Sequence, residues 1–319
     1  MTDKNLIIIA SQPRSGSTLL QALLSNNDKV GTVSEPWLLL PFLGFNNTDL
    51  SKASYNSNLA LSGINDFKSK IGSIGFDKDL SQFLLNQYAK VLKANETMVL
   101  DKTPRYYEIL NEIIEYFPNC KIIILKRNPF AVLQSIIKTW NVKDINGLLD
   151  YKRDVLYAPF MLHEFAQKHK GNSNVRVVHY EDLVVDPELH IKTIYNWLSV
   201  EFNANVLQYA KNTKYKGGMG DPSGINKDKK PNVNSIDTWM HFSKDKYWGE
   251  FLNGYYKFLS PNFLNEYGNY SLEAHLNLEE SKKFKRFFEK SSWNFKEHEV
   301  PKTKLVKNSI LRRLGFRKD

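Results

Sequence analysis

The sequence predicts an α/β protein of three layers, α/β/α, in which helices cover both faces of a central parallel sheet. Two observations predict this class. Five short apolar runs alternate with helical patterns between residues 6 and 198, and polar motifs follow most of these runs. Strands of parallel sheets are buried on both faces and therefore read as continuous apolar runs. Ligands of such sheets bind at the carboxyl ends of the strands, where the polar motifs fall.

Each expected strand is a short run rich in β-branched side chains. The strands are predicted at 6–10, 30–33, 97–100, 121–125 and 175–179. Helices are predicted after the first, third and fourth strands, where apolar residues recur every three or four positions. A single long helix is expected over 146–169. Another is expected over 188–198, after an N-cap Asp186 and a first-turn Pro187.

Composition indicates a globular protein of a reducing compartment. Of the 319 residues, 42% are hydrophobic and 24% are charged. The single cysteine, Cys120, excludes an internal disulfide and is expected to be buried at the start of a strand. Neither a signal-peptide pattern nor an apolar run of membrane-spanning length occurs, so a cytoplasmic location is expected.

The net charge of +10 is concentrated in one segment, because residues 302–319 carry seven basic side chains and one acidic side chain. A nucleic-acid-binding surface is therefore not required to explain the charge. Apolar residues alternate with the basic ones in this segment, a pattern compatible with peripheral contact to anionic lipid at the inner membrane face; a solvated basic end is the alternative.

The most informative stretch is residues 11–18, here called the phosphate loop, which joins the first apolar run to the first helical pattern. Backbone N–H groups and the positive end of a helix dipole form an anion cradle at such a junction. Arg14 adds a planar guanidinium that suits phosphate-like oxygens. The loop lacks the lysine of a nucleotide-triphosphate loop, because Ser17 stands in that position. It therefore favours a shorter anion, such as a phosphosulfate.

A second anion motif follows the fourth strand, where Arg127-Asn128-Pro129 precedes a helix that carries Ser135. This spacing allows Arg127 and Ser135 to address one anion. Together with the phosphate loop, the Asp101-to-Pro104 motif, residues 178–183 and the Gly/Lys-rich stretch before Trp239, it resembles the sulfotransferase family that uses 3′-phosphoadenosine 5′-phosphosulfate (PAPS). The resemblance is greatest to the branch that includes tyrosylprotein sulfotransferases, as a soluble, bacterial-type member. It implies their P-loop NTPase-like fold.

The resemblance also implies roles for individual residues. Those expected to hold the 5′-phosphosulfate are Arg14, Ser15, Gly16, Ser17 and Thr18. Those expected to hold the 3′-phosphate are Arg127 and Ser135, and the nucleotide site would be completed by Tyr180, Lys229 and Lys230. The catalytic residues implied are Glu35 as general base, with Lys102, Arg14 and Ser223 stabilising the transition state. No metal is implied, and the histidines and the single cysteine show no metal-ligand spacing.

The expected organisation is one sulfotransferase domain, residues 1–300, followed by the basic tail 301–319. Residues 38–98 and 140–170 are expected on the acceptor side, and residues 212–236 are expected to form a loop over the nucleotide. The acceptor expected is a carbohydrate or glycolipid hydroxyl, or a small metabolite. Two alternatives stay open at this point: a P-loop NTPase or small-molecule kinase with Asp101 as its magnesium-binding carboxylate, and a non-catalytic, membrane-associated nucleotide-binding adaptor.

Overall fold

A single parallel sheet organises the chain. The computed structural model describes residues 1–46, 56–208, 231, 233–276 and 284–289. The strands are β1 (Leu6–Ser11), β2 (Val30–Thr32), β3 (Met98–Lys102), β4 (Lys121–Lys126) and β5 (Val175–His179). They are hydrogen-bonded in the order β2-β3-β1-β4-β5, with every pair parallel. The first strand is therefore central, flanked by β3 and β4.

Helices account for most of the remaining described chain. The α-helices are α1 (Ser17–Ser25), α2 (Leu39–Leu43), α3 (Ser57–Ile71), α4 (Ser73–Ala89), α5 (Leu110–Tyr116), α6 (Pro129–Thr139), α7 (Ile145–Leu148), α8 (Lys152–Leu156), α9 (Ala158–Lys168), α10 (Tyr180–Val185), α11 (Pro187–Leu198), α12 (Trp239–Phe242), α13 (Lys246–Leu259), α14 (Pro261–Gly268) and α15 (Lys285–Phe288). Short 3₁₀ turns lie at Asp3–Asn5, Gly44–Asn46, Pro104–Glu108, Leu149–Tyr151, Ala204–Leu207 and Glu273–His275.

Side chains of the strands alternate between two cores, as the two-residue period of a strand requires. On one face, Ile8 and Ile124 pack with residues of α2, α4, α5 and α9. On the other face, Ile9 and Ile123 pack with residues of α1, α10 and α11. Helices on both faces of a parallel sheet make the three-layer α/β/α architecture, and the predicted fold class is confirmed.

A third core lies beside this sheet and joins the carboxyl half of the chain to the middle of it. Its members come from α6, α8, α12, α13 and α15, with Trp239 and Phe251 among the largest buried side chains. Several ring pairs pack edge to face, among them Phe130 on Trp239 at a centroid distance of 5.3 Å. This core attaches residues 239–276 and 284–288 to α6, the helix that follows β4.

The strand predictions agree with the structure to within two residues at each end. The predicted single helix over 146–169 was wrong. The chain forms α7, a 3₁₀ turn, α8 and α9 in succession, and α9 starts with Pro159 in its first turn. Proline has no N–H to donate and clashes with the preceding turn, so the helical pattern is interrupted there although its apolar spacing continues. The helix α10 was not predicted. The helix α11 begins directly after Asp186, the predicted N-cap, whose side chain accepts a hydrogen bond from the Leu189 N–H.

Cys120 is buried, as expected, with 1% of its surface exposed. Most of the predicted nucleotide-covering loop 212–236 and the whole of the basic tail 301–319 lie outside the described residues, so the expected lipid contact of the tail stays a prediction. Across the described ranges, no helix combines the length and the apolar character that crossing a membrane would require.

Candidate active site

The phosphate loop leaves β1 at the centre of the sheet and turns into α1 through two residues of positive φ. Arg14 has a φ of 72° and Gly16, the N-cap of α1, has a φ of 88°. A bond from the Ser15 N–H to the Gln12 carbonyl closes the turn, with an N···O distance of 3.2 Å. The loop thus presents the amino end of α1 at the carboxyl edge of the sheet, where its N–H groups favour an anion.

Tyr180 closes this loop from the neighbouring α10. A Cβ placed on Gly16 would lie 2.4 Å from two carbon atoms of the Tyr180 ring, so no larger residue fits without displacing the ring. The Tyr180 hydroxyl is 2.7 Å from the Ser235 hydroxyl. Glycine at position 16 therefore serves both the backbone conformation and the close approach of an aromatic side chain.

Arg127 also packs against the Tyr180 ring, with its guanidinium carbon 4.3 Å from the ring centroid. Only 6% of the residue is exposed. Its Nη1 donates to the Arg14 carbonyl at 3.0 Å, and its Nη2 donates to the Ser235 carbonyl at 2.7 Å. Its buried Nε has no hydrogen-bond partner among the described residues. Burial lowers the pKa of Arg127, because desolvation disfavours its charged form.

Further residues predicted to hold a nucleotide lie in the phosphate loop and on α6. The Arg14 Nε lies 3.4 Å from the Ser135 hydroxyl on α6. Ser15 and Ser17 are buried in the phosphate loop, and the Ser15 hydroxyl has no partner in the part of the chain that the structure describes. Arg14 therefore contacts both Arg127, through its backbone carbonyl, and Ser135, through its side chain.

Glu35 and Lys102 form an ion pair on the same face of the sheet as α1. The Lys102 Nζ is 2.5 Å from a Glu35 carboxylate oxygen and 3.4 Å from the Thr18 hydroxyl. Lys102 is the last residue of β3, two positions after Leu100, whose side chain packs in the core under α1. Because side chains two positions apart in a strand share a face, Lys102 lies on the face that α1 covers. Gln21 of α1 holds the segment that carries Glu35, since its amide donates to the Val33 carbonyl at 2.8 Å.

Asp101, one residue before Lys102, points to the opposite face. Its carboxylate accepts hydrogen bonds from Tyr88 at 2.5 Å, from Tyr106 at 2.8 Å and from Thr103 at 2.9 Å. Burial raises the pKa of Asp101 to about 6, and these three bonds oppose the rise. All three partners belong to the face of α4 and the Pro104–Glu108 turn, so this carboxylate is directed away from the phosphate loop.

Sequence reasoning missed a cluster around Arg105, whose guanidinium interacts electrostatically with Glu35. Trp37 has a φ of 54°, and the Arg105 guanidinium carbon lies 5.5 Å from its ring centroid. Arg105 is held by Asp154, which accepts from its Nε and, at 2.6 Å, from its Nη2. Asp154 also accepts from the Tyr107 hydroxyl at 2.8 Å. Nothing in the sequence pairs Arg105 with Asp154, because the two residues lie 49 positions apart.

Ser235 was also missed, because no motif marks it and its partners lie 55 and 108 positions earlier in the chain. Three predicted site residues, Ser223, Lys229 and Lys230, lie outside the described residues. Their roles stay predictions.

Comparison with known proteins identifies relatives of this chain. The model of the sulfotransferase family matches residues 6–204. The nodulation protein NoeE of Sinorhizobium fredii is 26% identical over 246 residues, which are 71% of this chain and 58% of that protein. The protein-tyrosine sulfotransferase of Drosophila melanogaster is 28% identical over 207 residues, 64% of this chain and 40% of that protein. The chain thus spans about half the length of these curated relatives.

A solved structure shares the fold. The sulfotransferase domain from the curacin biosynthetic pathway superposes with a TM-score of 0.52 and 22% identity, covering 73% of this chain and 89% of that domain. The shared fold includes the central parallel sheet with helices on both faces described above. The family match covers more than half of the chain, from β1 through β5 and the helices after it, and the chain belongs to the sulfotransferase family.

Proposed function

We propose that this protein transfers a sulfuryl group from PAPS to an acceptor hydroxyl. The observation that carries the proposal is the environment of Arg127. A buried guanidinium is normally paired with an acid, because an unpaired buried charge is costly. The hydrogen-bond partners of Arg127 are instead two backbone carbonyls, and its Nε has none in the described chain. Such a cation, beside Arg14 and Ser135, is suited to a phosphate group.

The residues present fit a donor with two separate anionic groups. The amino end of α1 and Arg14 would hold the 5′-phosphosulfate, and Arg127 with Ser135 would hold the 3′-phosphate. Tyr180, which packs against both Gly16 and Arg127, would contact the nucleoside that joins the two anionic groups. Lys229 and Lys230 are proposed to complete this site on the basis of sequence alone. PAPS would supply an activated sulfuryl group, so the protein has only to position the reactants and stabilise charge.

Glu35 is the proposed general base. Its carboxylate lies against Lys102 at the end of the sheet, close to Thr18 of the phosphate loop, where an acceptor hydroxyl could approach the donor. Glu35 would take the proton of that hydroxyl as the oxygen attacks sulfur in line with the leaving phosphate. Lys102 and Arg14, with Ser223, would stabilise negative charge on the bridging and leaving oxygens.

A P-loop NTPase or kinase is the less supported alternative. Such an enzyme needs a lysine in the phosphate loop and a carboxylate near the bound magnesium. Ser17 occupies the position of the lysine, and the hydrogen bonds of Asp101 direct its carboxylate toward the opposite face of the sheet. A non-catalytic adaptor would bind the nucleotide without turnover, and the ion pair of Glu35 with Lys102 gives that alternative no support.

The acceptor proposed is a hydroxyl of a carbohydrate or glycolipid, with a small metabolite as the alternative. Two aromatic surfaces, one at Trp37 and one around Tyr151, which interacts electrostatically with Arg105, favour stacking on a sugar ring or an apolar molecule. Trp37 follows Glu35 by two residues, and Trp140 stacks on Tyr151 at a centroid distance of 4.2 Å. Arg105, fixed by Asp154 beside Trp37, can donate hydrogen bonds to acceptor oxygens.

Calorimetric titration tests the donor site directly. Adenosine 3′,5′-bisphosphate, ADP and ATP with Mg²⁺ are titrated into the wild-type protein and into Arg127→Ala. We expect the wild type to prefer the bisphosphate and Arg127→Ala to lose that preference, because the arginine faces the 3′-phosphate. A preference for ATP with Mg²⁺ would overturn the proposal in favour of the kinase. Sulfate release or transfer from PAPS, measured on the same preparation, separates an enzyme from an adaptor.

A further inference from the structure

The turn that carries Arg127 is tied to a distant part of the chain through Glu181. One Glu181 oxygen accepts the Asn128 N–H at 2.9 Å, directly after Arg127. The other oxygen accepts the Tyr270 hydroxyl, also at 2.9 Å. Tyr270 follows α14 and lies beyond the region of the family match. Both oxygens of this carboxylate are therefore engaged away from the neighbouring guanidinium.

Glu181 is close enough to Arg127 to act on it. The residue before Glu181, Tyr180, has its ring under the Arg127 guanidinium, and the Glu181 charge acts electrostatically on Arg127. A carboxylate with an unused oxygen at this place could turn toward the Arg127 Nε, which has no partner in the described chain. A charged pair would form, and it would compete with any phosphate for the arginine.

We propose that Tyr270 is a positioning residue that holds the Glu181 carboxylate off Arg127 and so leaves this arginine available to the 3′-phosphate of the donor. The inference rests on the proposed function, since it concerns the same donor site. Tyr270 acts through Glu181 and need not touch the nucleotide. It would set the preference for a nucleotide with a 3′-phosphate over one without it.

The chemistry of the two partners supports this arrangement. Burial and the Glu181 charge both raise the pKa of Tyr270, so its hydroxyl keeps the proton that it donates to the carboxylate. A hydrogen bond from a neutral hydroxyl to a carboxylate is directional and strong, and it restrains the rotation of the acceptor group. Loss of that one hydroxyl frees one carboxylate oxygen without removing the charge.

The test is a set of four variants titrated calorimetrically with adenosine 3′,5′-bisphosphate and with ADP. Tyr270→Phe removes the restraining hydroxyl. Glu181→Gln removes the competing charge, and the double variant removes both. Tyr267→Phe is the matched control, because the Tyr267 hydroxyl is buried nearby and has no hydrogen-bond partner among the described residues. Melting temperatures verify that each variant is folded.

We expect Tyr270→Phe to weaken bisphosphate binding by about tenfold, the size of one charge-assisted hydrogen bond, while ADP binding changes by less than about twofold. Glu181→Gln should bind the bisphosphate at least as tightly as the wild type. The double variant should return to the affinity of Glu181→Gln, because no charge is left to occupy Arg127. Tyr267→Phe should match the wild type for both nucleotides.

Two results would overturn the inference while leaving the proposed function intact. One is that Tyr270→Phe prefers the bisphosphate over ADP to the same degree as the wild type does. The other is a double variant as weak as Tyr270→Phe, which would mean that the hydroxyl supports the fold of the turn rather than restraining a charge. A wild-type protein without preference for the bisphosphate would instead refute the proposed donor, and this inference with it.

Discussion

At the scale of single residues, the ion pair of Glu35 and Lys102 places an acid–base group beside the phosphate loop. Lys102 has no exposed surface, whereas the Glu35 side chain keeps 14% of its own. The carboxylate is therefore the member of the pair that an acceptor can reach. This asymmetry supports the proposal that Glu35 removes the acceptor proton and Lys102 stabilises charge.

Glu35→Gln should lower kcat by about 10²–10⁴-fold, the usual contribution of a general base, because an amide cannot take the acceptor proton. The affinity for adenosine 3′,5′-bisphosphate should stay within about twofold of the wild type, because Glu35 is not one of the residues proposed to hold the nucleotide. Transfer assays with radiolabelled PAPS and calorimetry measure the two quantities. Glu164→Gln, an exposed glutamate on α9, is the control. Near-normal turnover in Glu35→Gln would dismiss this assignment.

Substitution of Gly16 should change both folding stability and nucleotide affinity, and a control variant separates these two effects. Gly16→Ala should lose about 1–2 kcal/mol of folding stability from left-handed backbone strain, and it should also lose bisphosphate affinity because its Cβ displaces Tyr180. Gly72→Ala also strains the backbone, at a φ of 87° and a ψ of 103°, but no described atom lies within 4 Å of its new Cβ. The control should therefore lose stability alone. Equal nucleotide affinity in both variants would contradict the packing argument.

At the scale of secondary-structure elements, β3 separates the two faces of the site. Lys102 faces α1, while Asp101 faces Tyr88 of α4 and Tyr106 of the following 3₁₀ turn. The buried carboxylate binds α4 and the Pro104–Glu108 turn to the end of this strand. The end of β3 that carries Lys102 is therefore fixed by a polar network on the opposite face of the sheet.

Tyr88→Phe tests that network through its pH dependence. At pH 8 Asp101 is ionised, and the lost hydroxyl should cost roughly 1.5–3 kcal/mol of unfolding free energy, the value of a bond to a charged group. At pH 5 the carboxyl is protonated, because its pKa is about 6, and the loss should fall to roughly 0.5–1.5 kcal/mol. Urea denaturation at both pH values measures the difference. A loss of equal size at pH 5 and pH 8 would argue against an ionised Asp101.

At the scale of the whole molecule, Lys126 joins three elements at the end of β4. Its buried Nζ lies 3.2 Å from His163 Nδ1 on α9 and 3.4 Å from the Tyr267 carbonyl on α14, and it lies over the Tyr267 ring. Burial lowers the pKa of Lys126 to about 8. The charged lysine is therefore unfavourable in the folded state.

The folded protein binds fewer protons than the unfolded chain above pH 8, because the lysine is neutral only when folded. Its unfolding free energy should consequently rise by about 1–2 kcal/mol between pH 8 and pH 9.5. Lys126→Met should lack this rise, and Lys192→Met, an exposed lysine on α11, should retain it. Urea denaturation across this pH range is the measurement. If the unfolding free energy of Lys126→Met still rises over this pH range, a group other than Lys126 causes the rise.

The linear sequence by itself determined the fold class and the position of the phosphate loop. Apolar runs of five or six residues and helical spacing are local properties, and Ser11 to Thr18 carries its chemistry in consecutive residues. For the same reason the five strands were predicted with small errors. The prediction of one long helix over 146–169 failed because the apolar spacing continues through Pro159, whereas proline has no N–H to continue the helical hydrogen bonds.

Only the tertiary structure decided which distant residues meet. The strand order places β3 and β4 on either side of β1, and this brings Lys102 and Arg127 to the phosphate loop. The contacts of Ser235 with Arg127, of Asp154 with Arg105 and of Tyr270 with Glu181 join segments far apart in the chain. Such pairs have no sequence period, because they depend on how whole helices pack over the sheet edge and not on any local pattern.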